Sequence, residues 1–393
     1  MAIAKINYKN QKLVFMFLVS NQLRVFSTIK TALILILLFF STNKNFSQTL
    51  SPHATVSVLT CDSGNELYSL FGHTALRFSD PENRIDAVFN YGYFDFATPN
   101  FYLKFVKGDL KYFVAVDKYE EFLAEYIYFQ RGVYEQKLNL TDVQKQKIFD
   151  DLNAVIASDK KFYTYKFIDR NCTTMIVDVL NKNLTSPIDT KISDAEKTNR
   201  TILYGYLNSH FYENLGINIM FGSKTDKNFD HIFLPLQLME GIKKSKNNNQ
   251  VLCNATAVVN IKSAPEPPFS ITNSWVLYVL VLGLFALINK KPVYLTFLFL
   301  NGILGIFLFT VGFISLHNEL SFNSNILLFN PLYLFLVYFI IKNNLQLVRK
   351  TVLVLFGLLI IYLLIMINKV HFLMFIPFIL TNAIVLRRVY ILK

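Results

Sequence analysis

The pattern of apolar and polar positions divides the chain into unlike parts. Beyond residue 270, uninterrupted apolar runs occur at about 272–288, 292–316, 326–341, 351–367 and 371–386, the length and character of membrane spans. Between 48 and 263 the runs are short and alternate. Residues 54–60, 72–78 and 85–93 read as strands, the last two separated by the turn Asp80-Pro81-Glu82-Asn83, and 112–116 and 133–140 read as two more. Residues 118–129 and 141–157 carry helical periodicity, the second opening on Thr141 as an N-cap, and a further helix is predicted to begin at Cys172, with Met175, Ile176 and Val179 on its side. The expected fold class is α+β for this part, followed by an all-α transmembrane bundle of five helices. No internal repeat appears, and Lys243–Gln250 reads as a solvated loop.

At the N-terminus a basic region up to Lys30 precedes an apolar core, Thr31 to Phe40, and a polar stretch ending Asn45-Phe46-Ser47-Gln48. Residues 1–47 therefore read as a signal peptide or N-terminal signal anchor, with Ser41 and Ser47 offering small residues to a signal peptidase and Met16 an alternative start. The expected organisation is an exported domain over 48–263, a Pro-rich linker over 264–270 and the bundle over 271–393.

Composition fits that division. The chain of 393 residues is 53% hydrophobic, with 38 Phe and 21 Tyr, too apolar for an ordinary soluble protein. The net charge of +12 splits into +6 over 1–47, −2 over 48–270 and +8 over 271–393, so the basic excess flanks apolar segments. The polar domain is near neutral and has no basic stripe interleaved with aromatics, which argues against nucleic acid as a partner. The connections at Asn289-Lys290-Lys291, Lys342–Lys350 and Arg387-Arg388 are basic, whereas His317–Asn325 is not and Asn368-Lys369 is minimal. By the positive-inside rule the domain, the His317–Asn325 loop and the Asn368 turn share the exported face of the inner membrane, and the C-terminus is cytoplasmic. The polar cluster at His317, Glu319, Asn323 and Asn325 is read either as a connection or as the lining of a site.

Two residues stand out for chemistry. His73 opens a strand, with Ala75 and Arg77 on its face by parity. Cys172 opens a helix, where unpaired backbone N–H groups and the positive end of the helix dipole stabilise a thiolate. Each has a bland alternative, a structural histidine and a buried small hydrophobe. Three cysteines in an oxidising compartment suggest one disulfide and one free thiol. Cys61 and Cys253 are the expected pair, tying the ends of the domain together, and Cys172 the free one.

The segments Leu59-Thr60-Cys61, Tyr68-Ser69-Leu70-Phe71-Gly72-His73-Thr74-Ala75-Leu76-Arg77, Asn90-Tyr91-Gly92-Tyr93-Phe94-Asp95-Phe96, Asn171-Cys172-Thr173-Thr174, Phe233-Leu234-Pro235 and Asn323 to Pro331, with the trailing spans, resemble the Lnb-type lipoprotein N-acyltransferases. The resemblance implies a periplasmic, permuted papain-like thiol domain, its His-strand before its Cys-helix, similar to the acyltransferases related to lecithin:retinol acyltransferase. It implies acyl transfer from a phospholipid to the α-amine of a diacylglyceryl lipoprotein, with membrane as the setting and neither cofactor nor metal. Cys172 and His73 are then the catalytic pair. Asn90, or alternatively Asp95, orients the imidazole, although an Asn before Tyr-Gly is also ordinary turn chemistry. Substrate contacts are assigned to Arg77, Tyr91, Asn171, His317 and Glu319. For Arg77 an ion pair with Asp86 is the alternative, and for Tyr91, Tyr93 and Phe94 a place in the core. The competing functions are a membrane-bound cysteine amidase or peptidase acting on cell-wall peptides, and a non-catalytic scaffold.

Overall fold

The computed structural model describes residues 48–263 and 269–392, together with Lys30. The expected signal segment, Lys30 apart, and the Pro-rich core of the linker lie outside the described residues. Within 50–393 the first layer is a seven-stranded, wholly antiparallel sheet in the order β6-β4-β3-β2-β1-β5-β9. The strands are β1 (Thr55–Cys61), β2 (His73–Asp80), β3 (Ile85–Tyr93), β4 (Lys111–Lys118), β5 (Val133–Lys137), β6 (Phe162–Thr164) and β9 (Thr256–Asn260), beside a separate two-residue hairpin of β7 (Lys246–Asn247) and β8 (Gln250–Val251). The alternation seen in the sequence sets the two faces. Val56, Val58, Leu76, Phe78, Phe89 and Tyr91 build a large core on one side, and Leu59, Cys61, Ala75, Val88 and Val133 a smaller one on the other.

Helices cover both faces. Helix α1 (Phe101–Lys107) lies in the β3–β4 connection, and α2 (Tyr119–Tyr128) closes the smaller core with Phe122 and Tyr126. Helix α3 (Asp142–Ile156) starts at the expected N-cap, where Thr141 and Gln144 form a reciprocal capping box. Helix α4 (Cys172–Asn183) packs its Ile176 and Leu180 into the large core. Three helices absent from the sequence reading follow, α5 (Asn199–Tyr206), α6 (Phe211–Met220) and α7 (Pro235–Lys244). Their periodicity is diluted by buried polar residues such as Arg200, Asn214, Asn218 and Gln237.

The C-terminal part is helical throughout: α8 (Trp275–Leu287), α9 (Lys291–Ile314), α10 (Leu332–Ile341), α11 (Leu345–Met366) and α12 (Phe372–Tyr390). Among the described residues four stretches are long and apolar enough to cross a membrane, Lys291–Ile314, Asn318–Ile341, Leu345–Met366 and Phe372–Tyr390, while Trp275–Leu287 is shorter at 13 residues. The second stretch opens in two 3₁₀ turns, Asn318–Leu320 and Ser324–Leu327, before α10. These irregular turns are where the two parts of the chain meet. The Leu316 N–H donates to Lys107 O at 2.7 Å and the Ser315 hydroxyl to Val106 O at 2.7 Å, fastening α1 to the end of α9. Asn323 donates to Ile219 O and Met220 O, Asn325 donates to Asn218 O, and Tyr362 OH completes the set on Asn325 Oδ1. Gly222 makes the approach possible: its N–H donates to Glu319 O at 2.6 Å, and a Cβ there would collide with the Ser321 carbonyl oxygen.

Candidate active site

The site is built at one end of the sheet. Gly72 turns the chain into β2 with φ +77°, and a Cβ on it would stand 2.6 Å from Cys61 O, so the turn requires glycine. His73 then opens β2 opposite Cys61. Asn90 lies on β3 one position beyond Phe89, which is paired with Leu76, and so shares the face of Ala75 and His73. Cys172 arrives from the other face at the first position of α4. Asn171 caps that helix by accepting from the Thr173 and Thr174 N–H groups, and the Thr74 and Thr173 hydroxyls, 3.1 Å apart, pin its start to β2.

His73 Nε2 lies 2.6 Å from Asn90 Oδ1. Asn90 Nδ2 donates to Asp117 Oδ2 at 3.1 Å, and the Tyr93 hydroxyl donates to both Asp117 oxygens at 3.0 Å. A carboxylate only accepts, so Asp117 holds the NH₂ of Asn90 on its own side and leaves the amide oxygen toward His73. Nε2 must then carry a proton, and Nδ1 is the ring nitrogen left to the thiol.

The electrostatics agree with that arrangement. Burial pushes the Cys172 thiol up, but the adjacent His73 charge, its hydrogen bond, the Thr74 backbone N–H and the Thr173 hydroxyl outweigh burial and leave the thiol below its ordinary value. Burial pushes His73 down, yet Cys172 and the hydrogen bonds to Cys172 and Asn90 carry it above its ordinary value. A lowered thiol beside a raised imidazole is able to exist as a thiolate–imidazolium pair, a nucleophile with its acid already protonated. Cys61, by contrast, is pushed up to about 12, chiefly by burial.

The structure thus brings His73, Cys172 and Asn90 together and leaves the other predicted site residues elsewhere. Asp95 accepts from the Ala97 N–H in an exposed turn, apart from the imidazole. Arg77 makes the alternative ion pair, bidentate to Asp86 at 2.8 and 2.9 Å, with Glu135 at 3.1 Å and the Tyr119 ring beneath its guanidinium at 3.3 Å. Tyr91, 3% exposed, belongs to the large core, edge-on to Tyr163. Asn171 has its amide committed, accepting the two helix N–H groups and donating to Phe167 O and Phe233 O, so it holds nothing for a substrate. His317 Nε2 lies 3.0 Å from Phe105 O, and Glu319, 1% exposed, accepts from the Ile168 N–H at 2.9 Å. His317 thus ties the loop after α9 to α1, and Glu319 ties it to the segment that leads into Cys172. Asp117 and Tyr93 are the groups missed as His73 support. Tyr93 shares β3 with Asn90, and only the β3–β4 register, Val88 opposite Asp117, brings Asp117 to them both.

The expected Cys61–Cys253 bridge is not formed, and all three cysteines are free thiols. Cys61 pairs with Val133 at one end of β5, while Leu252 O accepts from the Asn139 N–H beyond the other end. At about 3.3 Å per residue the two thiols are separated by well over ~15 Å along the strand, against a Cα span of about 6 Å in a disulfide. They also lie in different cores on opposite faces.

Comparison with known proteins gives two matches. Residues 42–204, which include His73, Asn90 and Cys172, match the family model described as the Lnb N-terminal periplasmic domain, and residues 262–393 match that of the Lnb transmembrane domain. No curated protein and no solved structure matches the chain. The sheet domain bearing the His73–Cys172 pair and the apolar helices behind it correspond to these two domains in order, and the chain belongs to the Lnb family of membrane proteins with a periplasmic N-terminal domain.

Proposed function

We propose that the protein is a lipoprotein N-acyltransferase, moving a fatty acyl chain from a phospholipid to the α-amine of a diacylglyceryl-cysteine through a thioester on Cys172. The observation that carries this reading is the thiol–imidazole pair, oriented by Asn90, at the end of a periplasmic domain fastened to membrane helices. The domain reads as permuted papain-like, because the His-bearing strand precedes the Cys-bearing helix. The setting is the inner membrane. The hydrogen bonds from residues 315–325 to the periplasmic domain favour placing the ends of α9 and of the 3₁₀ turns on the periplasmic side. With α8 counted as a fifth span, the basic end of α12 at Arg387 and Arg388 is cytoplasmic.

In the first half-reaction the Cys172 thiolate attacks the ester carbonyl carbon. The backbone N–H of Cys172, in the first turn of α4 and outside the intrahelical ladder, is placed to receive the oxyanion. The C–O ester bond breaks as the His73 imidazolium gives its proton to the departing oxygen, releasing a lysophospholipid. In the second half-reaction the lipoprotein amine attacks the thioester carbonyl, His73 takes the amine proton, and the C–S bond breaks to restore the thiolate and leave an amide. A thioester is far more reactive toward amines than the oxygen ester it came from, so one difficult transfer becomes two easier ones.

The test is intact mass spectrometry of the full-length protein incubated with phospholipid alone. An acyl adduct is expected on the wild type and not on Cys172→Ala or His73→Ala, and a diacylglyceryl lipopeptide is expected to clear it with formation of N-acyl product. Full N-acylation by Cys172→Ala overturns the thioester mechanism. An adduct that water clears as fast as the lipopeptide identifies a hydrolase instead.

A further inference from the structure

Six large, exposed apolar side chains of the periplasmic domain gather at one end of the sheet. Because every pairing is antiparallel, the start of β2 at His73, the end of β3, the start of β4, the start of β5 and the end of β9 lie at the same end. The connections there carry Leu67 and Tyr68 between β1 and β2, Tyr102 and Leu103 on α1 between β3 and β4, and Ile127 and Tyr128 at the end of α2 before β5. All six are exposed, Tyr68 at 69%, Tyr102 at 78% and Tyr128 at 80%. A soluble domain does not leave such a collar of large apolar groups around one end without a partner.

The fold says what covers it. Helix α1 is bonded through Lys107 O and Val106 O to Leu316 and Ser315, the residues that follow the transmembrane helix α9, so the collar is continuous with the end of a span. The chain also leaves the sheet for the bundle from this end, at Asn260 opposite Val133. Trp275, 62% exposed at the start of α8, marks the same boundary with the side chain most characteristic of the headgroup region. Tyrosines and leucines with the stems of Lys104 and Lys107 among them are a composition that settles in the interface of a bilayer.

We infer that this end of the domain, the end of the sheet at which His73 opens β2, rests in the periplasmic leaflet of the membrane, with Tyr68, Tyr102 and Tyr128 at headgroup level. The partner is the lipid surface. The inference rests on the transmembrane assignment of α9 and deepens the proposed acyl transfer, since a thiolate so placed meets glyceryl esters without extracting a lipid into water.

The test uses the full chain in liposomes with its single tryptophan removed, Trp275→Phe, and one reporter introduced at a time: Tyr102→Trp, Tyr128→Trp, or Val143→Trp. Val143 is equally exposed at 78% but lies on α3 toward the opposite end of the strands. Brominated phospholipids are expected to remove about half the emission of the first two reporters, the behaviour of an interfacial side chain, and to leave Val143→Trp unchanged and open to aqueous iodide. Three results overturn the inference: Tyr102→Trp and Tyr128→Trp reached by iodide and indifferent to brominated lipid; both shielded from iodide and lipid alike, as under a second copy or another protein; or Val143→Trp quenched by lipid as strongly as they are. The readout involves no acyl transfer and is repeated in Cys172→Ala, so failure of the chemistry and failure of the membrane contact are told apart.

Discussion

The amide of Asn90 is held at both ends, its oxygen 2.6 Å from His73 Nε2 and its nitrogen 3.1 Å from Asp117 Oδ2. Asp117 touches neither His73 nor Cys172 by any hydrogen bond among the described residues, yet it decides which end of Asn90 the imidazole meets. It is a positioning residue.

Asp117→Asn gives that amide a partner able to donate as well as accept, and the orientation of Asn90 is no longer imposed. The expected loss of acylation rate is about tenfold to a hundredfold, the scale that follows misplacing a reacting group. Asn90→Ala is expected to change the pH profile as well. The thiolate–imidazolium form exists above the lowered Cys172 value and below the raised His73 value, and Asn90 helps to raise the latter, so its loss moves the alkaline limb to lower pH. Unaltered rate and profile in both variants would remove Asn90 and Asp117 from the site.

Alkylation separates the three thiols. In the folded protein at neutral pH, iodoacetamide is expected to label Cys172, whose thiol is lowered, and to spare Cys61 and Cys253, which burial raises. The rate should fall as pH drops through the Cys172 value, because the thiolate is lost there. After denaturation without reductant, three adducts are expected by intact mass, since all three thiols are free. One adduct would restore the Cys61–Cys253 bridge.

Arg77 is expected to matter for stability and not for transfer. Arg77→Ala leaves Glu135, 9% exposed at its side chain, without the cation that neutralises it, a loss of about 1–3 kcal/mol once the half-exposed Asp86 is discounted. The thermal midpoint should fall by several degrees while the rate at low temperature persists. The reverse pattern, full stability with lost transfer, would assign Arg77 to a substrate.

Gly222→Ala tests the joint between the two parts. Its new methyl meets backbone, the Ser321 carbonyl oxygen, which a rotamer change cannot clear. Overpacking of that kind costs about 1–3 kcal/mol. The expected outcome is faster proteolysis or hydrogen exchange in residues 165–171 and 315–325 before any change at the far end of the sheet. Identical exchange throughout would show that the contact contributes nothing.

Much of this architecture is legible from local pattern. Alternation places β1 to β5 within a few residues, Thr141 announces its helix, and a cysteine after Asp-Arg-Asn announces another, because each signal is read within one helical turn or one strand. The apolar runs after residue 270 are equally plain. Helices α5 to α7 escape notice because Arg200, Asn214, Asn218 and Gln237 are buried in them, with side-chain partners as remote as Asp226 for Arg200 and Asp194 for Gln237. A buried polar residue with a distant partner looks, in sequence, like a surface one.

What the sequence by itself determined is therefore the division into a periplasmic sheet domain and an apolar helical bundle, and it singled out His73 and Cys172 as the candidates for chemistry. Only the tertiary structure decided which side chains serve them. Asn90 and not Asp95 reaches the imidazole, Asp117 and Tyr93 stand behind it, Arg77 is spent on Asp86 and Glu135, Asn171 on its helix, and Cys61 and Cys253 are kept apart. The reason is physical. Propensity and periodicity act over a few residues, whereas strand register fixes which groups meet across dozens of residues, and a one-residue slip would turn each of these side chains to the other face.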